Sequence, residues 1–401
     1  MQENKSILIF GAGKIGRSFI GQLFGLSGYE VVFSDIDTQL VDALNRERSY
    51  TVVIKGPREE RLSISNVRAI HGADEPSVIE EITHASIMAV SVGKNALEKI
   101  IPTISKGLTK RFQYHEDRPV DIIIAENMRS AKEFVYELLK KNLALDFPID
   151  DYVGLIETSI GKMVPIMTAD ELRRDPLSVF AEPYNELILD KKGFKNQIPN
   201  VKGLAPKENI KAWVDRKAFI HNLGHTTTAY YGYYKHPDAT YLYEVLQDES
   251  VLQFTKEVML QSADTLLKMY PDDFTANDLA THIDDLLFRF QNRSLKDTLF
   301  RVGRDILRKL GPDDRFMGAI RAAISLQTAY DRMLKAMLYA CTFKAVDENG
   351  CRAAEDLLFE QYMDKGLEFT LQRVCGIDPV KDQQLLAQAK GYYFDLFLSR
   401  E

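Results

Sequence analysis

One stretch constrains this chain more than any other. The apolar run Ser6-Ile-Leu-Ile-Phe10 ends in Gly11-Ala-Gly13-Lys-Ile-Gly16, a helical pattern follows to about residue 26, and Glu30-Val-Val-Phe-Ser-Asp35 opens a second apolar run. Strand, glycine turn, helix and strand in that order is the context in which a G-x-G-x-x-G spacing carries weight. Gly11 permits the tight turn, Gly13 lets backbone approach a pyrophosphate, and Gly16 allows close helix packing. Lys14 and Ile15 complete the turn, and the helix N-terminus turns its N–H groups toward the phosphates. Asp35, at the end of the second run, is placed to accept hydrogen bonds from an adenosine ribose and to repel a 2′-phosphate, so NAD is expected rather than NADP. A glycine turn beside an incidental acid is the competing reading.

The alternation continues with a helical pattern at 38–46, strand-like residues 50–54, the apolar run Ala85-Ser-Ile-Met-Ala-Val-Ser91, a helical pattern at 97–108 and Asp121-Ile-Ile-Ile-Ala125. Near-continuous apolar strands between helices imply a mostly parallel sheet covered on both faces, an α/β domain of Rossmann type. Ligands gather at the carboxyl ends of such strands, which marks Val92 and Gly93 after one strand and Asn127 after another. Asn127 is either a carboxamide for the nicotinamide or substrate region or a plain loop residue.

Residues 185–210, with Lys191-Lys-Gly-Phe-Lys-Asn-Gln-Ile-Pro-Asn200, read as an irregular connector. We place a boundary there, giving a nucleotide-binding domain at 1–205 and a mainly helical substrate and catalytic domain at 206–401. Helical patterns follow at 211–234, 249–269, 276–290, 317–339 and 353–364, with a last one from residue 383.

The 51 basic and 58 acidic residues leave a net charge of −7, so no basic excess points to nucleic acid. Three cysteines without metal-type pairing suggest a reducing compartment, hence the cytoplasm. No signal-type segment and no apolar run long enough to span a bilayer is evident, so no membrane association is expected.

Within Lys217-Ala-Phe-Ile-His-Asn-Leu-Gly-His225 stand an amine, a carboxamide and an imidazole. On an α-helix advancing about 100° per residue, Lys217, Asn222 and His225 fall at roughly 0°, 140° and 80°, so all three can point into one cleft. An amine can take a hydroxyl proton while the other two steady the developing alkoxide, the parts of a metal-free alcohol dehydrogenase. Spacing alone equally describes a solvated polar helix face. His221 and His225 have a metal-compatible spacing but no evident third ligand, so no metal is expected. Tyr-x-x-x-Lys, at Tyr136 to Lys140 and Tyr231 to Lys235, lacks the glycine spacing of short-chain enzymes.

Lys217, Asn222 and His225 after such a nucleotide-binding domain resemble the Lys-x-x-x-x-Asn-x-x-His hallmark of the polyol-specific long-chain dehydrogenases, the mannitol dehydrogenase family. The likeness is greatest to members acting on mannitol 1-phosphate. It runs through Phe10-Gly-Ala-Gly-Lys-Ile-Gly-Arg17, Glu126-Asn-Met128, Arg289-Phe290, Leu295-Lys-Asp297 and Arg301-Val-Gly-Arg304. The resemblance implies NAD-linked interconversion of mannitol 1-phosphate and fructose 6-phosphate, with Lys217 as general acid/base. It also implies that Asn222 and His225 polarise the reacting oxygen, that Asn127 assists, and that the protein is a monomer. Arg301, Arg304, Arg308, Lys309 and Arg315 form either a phosphate-binding cluster or a salt-bridged helical surface. The chain departs from the family pattern at Gly161-Lys162 before Met163-Val-Pro165, at Lys14 in the glycine turn and at Arg293-Ser294, and the first of these, expected near the catalytic cleft, bears on the substrate. A free polyol or a hexuronate is therefore an alternative substrate. A nucleotide sensor without catalysis is the non-enzyme alternative.

Overall fold

The computed structural model describes residues 5–399. Residues 1–4, part of the N-terminal stretch that shows no signal-type run, and 400–401 lie outside the described residues. The chain divides into two compact units, 1–214 and 215–401.

The first unit is built on eleven strands: β1 (Ser6–Phe10), β2 (Glu30–Asp35), β3 (Ser49–Lys55), β4 (Glu59–Ser65), β5 (Val67–His71), β6 (Ile87–Val90), β7 (Val120–Ile124), β8 (Val153–Ser159), β9 (Ser178–Ala181), β10 (Leu187–Asp190) and β11 (Leu204–Lys207). Eight form one sheet in the order β11-β10-β8-β7-β6-β1-β2-β5. Every neighbouring pair in it is parallel except β8 with β10. From β1 the chain winds outward to β2 and later β5, then returns to β6 on the other side of β1 and winds outward through β7 and β8. The order of winding therefore reverses between β1 and β6, the place where an open parallel sheet leaves a crevice at its carboxyl edge.

Side chains alternate across the sheet, so each strand feeds two cores. Ile7, Ile9, Val31 and Phe33 pack with Phe19, Ile20, Leu23 and Phe24 of the first helical segment. Leu8, Phe10, Val32, Met88 and Ile122 pack on the opposite face with Leu97, Ile101, Ile104 and Leu108 of the helix Lys94–Tyr114. A sheet buried on both faces accounts for the nearly unbroken apolar runs in the sequence.

In the first unit two sequence-based expectations change. Residues 50–54 do form a strand, β3, but in a separate sheet of order β4-β3-β9. β4 (Glu-Glu-Arg-Leu-Ser-Ile-Ser) is mostly exposed and polar, so its hydrophobic signal is weak. The connector at 185–210 is not wholly irregular, because β10 and β11 lie within it. Both are four residues long, and β11 carries Pro206, tolerated at the sheet edge where no ladder N–H is needed.

The second unit is helical. Glu249–Met269 and Ala276–Phe290 begin where capping chemistry dictates: Asp248 accepts from the Ser250 N–H, and Thr275 and Asp278 form a reciprocal capping box. The pattern expected to run unbroken over 317–339 is instead two helices, Arg315–Ser325 and Asp331–Leu338. Gln327 takes a left-handed conformation (φ 53°) between them, which an α-helix cannot propagate through.

Candidate functional site

At the carboxyl end of β1, Gly11 adopts φ +97° and donates its N–H to Ser34 O at 2.8 Å. A Cβ on Gly16 would lie 1.9 Å from Gly11 O, so the helix can approach the turn this closely only with glycine there. Nothing lies within 4 Å of where a Gly13 Cβ would be, which leaves that backbone open to a ligand. Lys14 is exposed and Ile15 half-buried on the first turn. The Asp35 carboxylate accepts from the Ala12 N–H at 2.6 Å and the Asp37 N–H at 3.0 Å. Each oxygen keeps a second lone pair, so the group is fixed in place and still able to accept from ribose hydroxyls. These residues fit a dinucleotide.

Val92 and Gly93, after β6, have their N–H groups taken by the buried Glu126: Val92 N–H donates to Oε1 at 2.8 Å, and Gly93 N–H to Oε1 at 3.0 Å. Any contact these two residues make to a cofactor is thus through other atoms. Burial raises the Glu126 carboxyl pKa, and the two amide hydrogen bonds oppose that rise. Glu126 immediately precedes the exposed Asn127. The far end of the same loop is tied by the Ala131 N–H to Glu157 Oε1 at 3.2 Å. Asn127 is therefore presented on a loop pinned on both sides.

Lys162, the departure expected near the substrate, is buried in the first unit. Its ammonium donates to Asn185 Oδ1 at 2.8 Å and Gln22 Oε1 at 3.1 Å and lies 5.0 Å from the Phe19 ring centre.

In the second unit the helical run is not uniform. Residues 217–222 form a π-helical turn, and the Leu223 N–H reaches back to Ala218 O. Closure over five residues stacks positions five apart, so Asn222 comes round toward Lys217 instead of lying far around the helix. Lys217 is half-buried, and its ammonium pKa is pulled down to about 8, first by loss of water and then by the nearby Arg315 charge. The Arg315 guanidinium donates to Thr226 Oγ1 at 2.9 Å and Asn222 O at 3.4 Å, and pairs with Asp314 at 2.8 Å.

The His225 ring stacks on Phe290, centres 4.7 Å apart and planes 19° from parallel. Its Nε2 lies 3.2 Å from Oδ2 of the buried Asp297, whose Oδ1 takes Arg301. Burial, followed by the charges of Arg301, Arg315, Lys309 and Arg289, pulls the imidazole pKa well below its usual value, which favours the neutral ring.

Each of the five basic residues has a partner inside this unit. Arg301 pairs with Asp297, and Arg304 lies 5.5 Å from the Phe300 ring. Arg308 pairs with Asp305 and with Asp314 at 3.3 Å. The buried Lys309 donates to Val302 O at 2.7 Å and to Arg304 O, and burial beside Arg315 and Arg308 pulls its pKa down to about 7. An incoming phosphate competes with these partners. His221 and His225 have ring centres 6.1 Å apart, and among the described residues no group of three or more His, Cys, Asp or Glu is arranged to hold a metal. No helix among the described residues is long and apolar enough to cross a membrane.

Glu126, Phe290 and Asp297, to which sequence reasoning assigned no role, stand against the candidate residues. The signal available was an acid directly after an apolar strand, and residues carried only as part of a family likeness.

Residues 5–203 match the mannitol dehydrogenase Rossmann domain, and residues 209–375 match the mannitol dehydrogenase C-terminal domain. Among solved structures, mannitol 2-dehydrogenase of Pseudomonas fluorescens, in a ternary complex with NAD and D-mannitol, aligns with a TM-score of 0.73 at 15% identity, covering 98% of this chain and 92% of that one. Octopine dehydrogenase, in complex with NADH and agmatine, aligns at 0.51 and 12% identity over 93% and 98% of the two chains. A 2-dehydropantoate 2-reductase from Geobacter metallireducens aligns at 0.50 and 14% identity over 84% and 98%. At these identities the likeness to solved structures is one of fold. The two matched domains span most of the sequence, and the chain belongs to the mannitol dehydrogenase family.

Proposed function

We propose that this protein is an NAD-dependent oxidoreductase interconverting a polyol and a ketose, of the mannitol-1-phosphate 5-dehydrogenase type, with Lys217 as general acid/base. The observation that carries this reading is the π-helical turn that sets Asn222 toward a half-buried Lys217 whose pKa is pulled down to about 8. An amine with that pKa can both accept and return a proton near neutrality.

Gly11, Gly13, Lys14, Ile15, Gly16 and Asp35 would hold the dinucleotide, with Val92, Gly93 and Asn127 beside its nicotinamide end. When bound, NAD accepts the hydride from the alcohol carbon, and NADH returns it. In ketose reduction, protonated Lys217 gives its proton to the reacting oxygen while Asn222 donates a hydrogen bond to it. In polyol oxidation, neutral Lys217 takes the hydroxyl proton. Asn127 would contribute its carboxamide to the same oxygen or to the nicotinamide.

The engagement of Arg301, Arg304, Arg308, Lys309 and Arg315 by internal partners favours a second reading, in which the substrate is an unphosphorylated polyol or ketose. Measuring NADH oxidation with fructose 6-phosphate, fructose, fructuronate and tagaturonate separates these. Turnover of fructose 6-phosphate far above fructose supports the phosphate reading, and the reverse supports the free polyol. Preference for either hexuronate would identify a hexuronate reductase. NADH binding without turnover of any of the four would leave a nucleotide sensor.

A further inference from the structure

We propose that Asp297 is a positioning residue that fixes His225 as the Nε2–H tautomer, so that Nδ1 accepts a hydrogen bond from the substrate hydroxyl next to the reacting carbon. This rests on the reading of the protein as a polyol and ketose oxidoreductase. It changes the part that the family resemblance implies for His225, from donor to the reacting oxygen to acceptor for its neighbour.

Nε2 of His225 is sealed from water and lies 3.2 Å from Asp297 Oδ2, off the ideal line of a hydrogen bond. Neither atom has a hydrogen-bond partner, and a small turn of the side chains that places a proton between them would satisfy both. Asp297 Oδ2 can only accept, because Oδ1 is held by the guanidinium of Arg301, which favours the ionised carboxylate. The proton therefore resides on Nε2. Phe290 fixes the plane of the ring by stacking on it, and within that plane Nε2 is the nitrogen that faces Asp297.

A neutral imidazole has one donor and one acceptor. With the donor committed to Asp297, what remains is the Nδ1 lone pair. Nδ1 is not among the sealed atoms and makes no hydrogen bond to any described residue. A lone pair repels a carbonyl oxygen or an alkoxide and attracts an O–H. Every ketose carries a hydroxyl on a carbon next to its carbonyl, and a site that accepts from that hydroxyl rejects the analogue lacking it. Donation to the reacting oxygen is then left to Lys217 and Asn222.

The test uses the full-length protein and two readouts. The first is the 15N–1H spectrum of the histidine rings with His225 assigned by substitution. The native protein is expected to show the proton on Nε2. In Asp297→Asn the single amide oxygen goes to Arg301 and the amide NH2 faces Nε2, so the ring proton moves to Nδ1. The second is kcat/KM with NADH for fructose 6-phosphate and 1-deoxyfructose 6-phosphate, or the free sugars if those are preferred. The native enzyme should discriminate against the deoxy analogue by tenfold or more. Asp297→Asn should raise KM for the parent ketose with NADH affinity unchanged, and the discrimination should collapse. Asp297→Glu, which keeps an anionic acceptor, should retain the Nε2–H tautomer and part of the discrimination.

A native ring protonated on Nδ1, or discrimination undiminished in Asp297→Asn, overturns the assignment. Should Asp297→Asn fail to fold, the native spectrum and Asp297→Glu decide it. If the native enzyme reduces no ketose, the oxidoreductase reading falls and takes the hydroxyl contact with it, while the ring spectrum still decides what Asp297 does.

Discussion

At the scale of single residues, the chemistry turns on how burial sets proton affinity. Lys217 is held near a pKa of about 8 by loss of water and by Arg315. With Lys217 as the proposed general acid/base, the protonated amine would be the active form in ketose reduction, so kcat/KM is expected to fall as pH rises through about 8. In polyol oxidation the neutral amine is active, and the same group makes the rate rise through that pH. Opposite limbs in the two directions, with a shared midpoint, are the signature to look for in pH–rate profiles. Replacing Arg315 by Met removes the smaller of the two causes and should move the midpoint upward without restoring the ordinary lysine value, since burial remains. The identities of Lys217, Asn222 and His225 were legible in the sequence because three unlike polar groups share one short segment. The partners that tune them were not, because Arg315 opens a helix and Asp297 lies in a loop, both far along the chain, and only folding reveals what they face.

At the scale of elements, the segment after β6 and the segment after β7 are joined by one carboxylate. Glu126 accepts from the N–H groups of both Val92 and Gly93. Its removal in Glu126→Ala orphans two part-buried donors at about 1–3 kcal/mol each. Thermal unfolding should show a lower Tm, and NADH titration a weaker Kd, because both segments flank the crevice. Glu126→Gln keeps one acceptor oxygen and should lie between the variant and the native protein. Unchanged Tm and Kd in Glu126→Ala would show that the link is dispensable. At the glycine turn, Gly16→Ala puts a methyl 1.9 Å from Gly11 O, so the helix must move. NADH affinity is expected to fall by tenfold or more in that variant.

Strands with long apolar runs, β1, β2, β6 and β7, were readable from the sequence because both their faces are buried. β4, β10 and β11 were not, being exposed and polar or only four residues long. The π-helical turn was equally invisible, because Lys217–Asn222 has the composition of an ordinary helix.

At the scale of the molecule, the order of a doubly wound α/β unit followed by a helical one was visible in the change of hydrophobic period along the chain. The sequence places the division after residue 205, and the compact units meet at 214/215, within the helical run that opens at Ile210. A helix that continues through a boundary carries no compositional mark of it. Substrate identity also belongs to this scale. Under the phosphate reading, fructose 6-phosphate should show a KM at least tenfold below that of fructose, and raising ionic strength should weaken its binding more than that of the free sugar. Equal KM values for the two would point to a site that does not recognise the phosphate.

The central claim is that Lys217 moves the proton in an NAD-linked reaction. Its most direct test is the rate of ketose-dependent NADH oxidation by Lys217→Ala, measured with NADH saturating and its Kd determined in parallel. We predict turnover reduced by about 10²–10⁴-fold with NADH affinity nearly unchanged. Turnover within a few-fold of the native enzyme would contradict the account and remove Lys217 from the reaction.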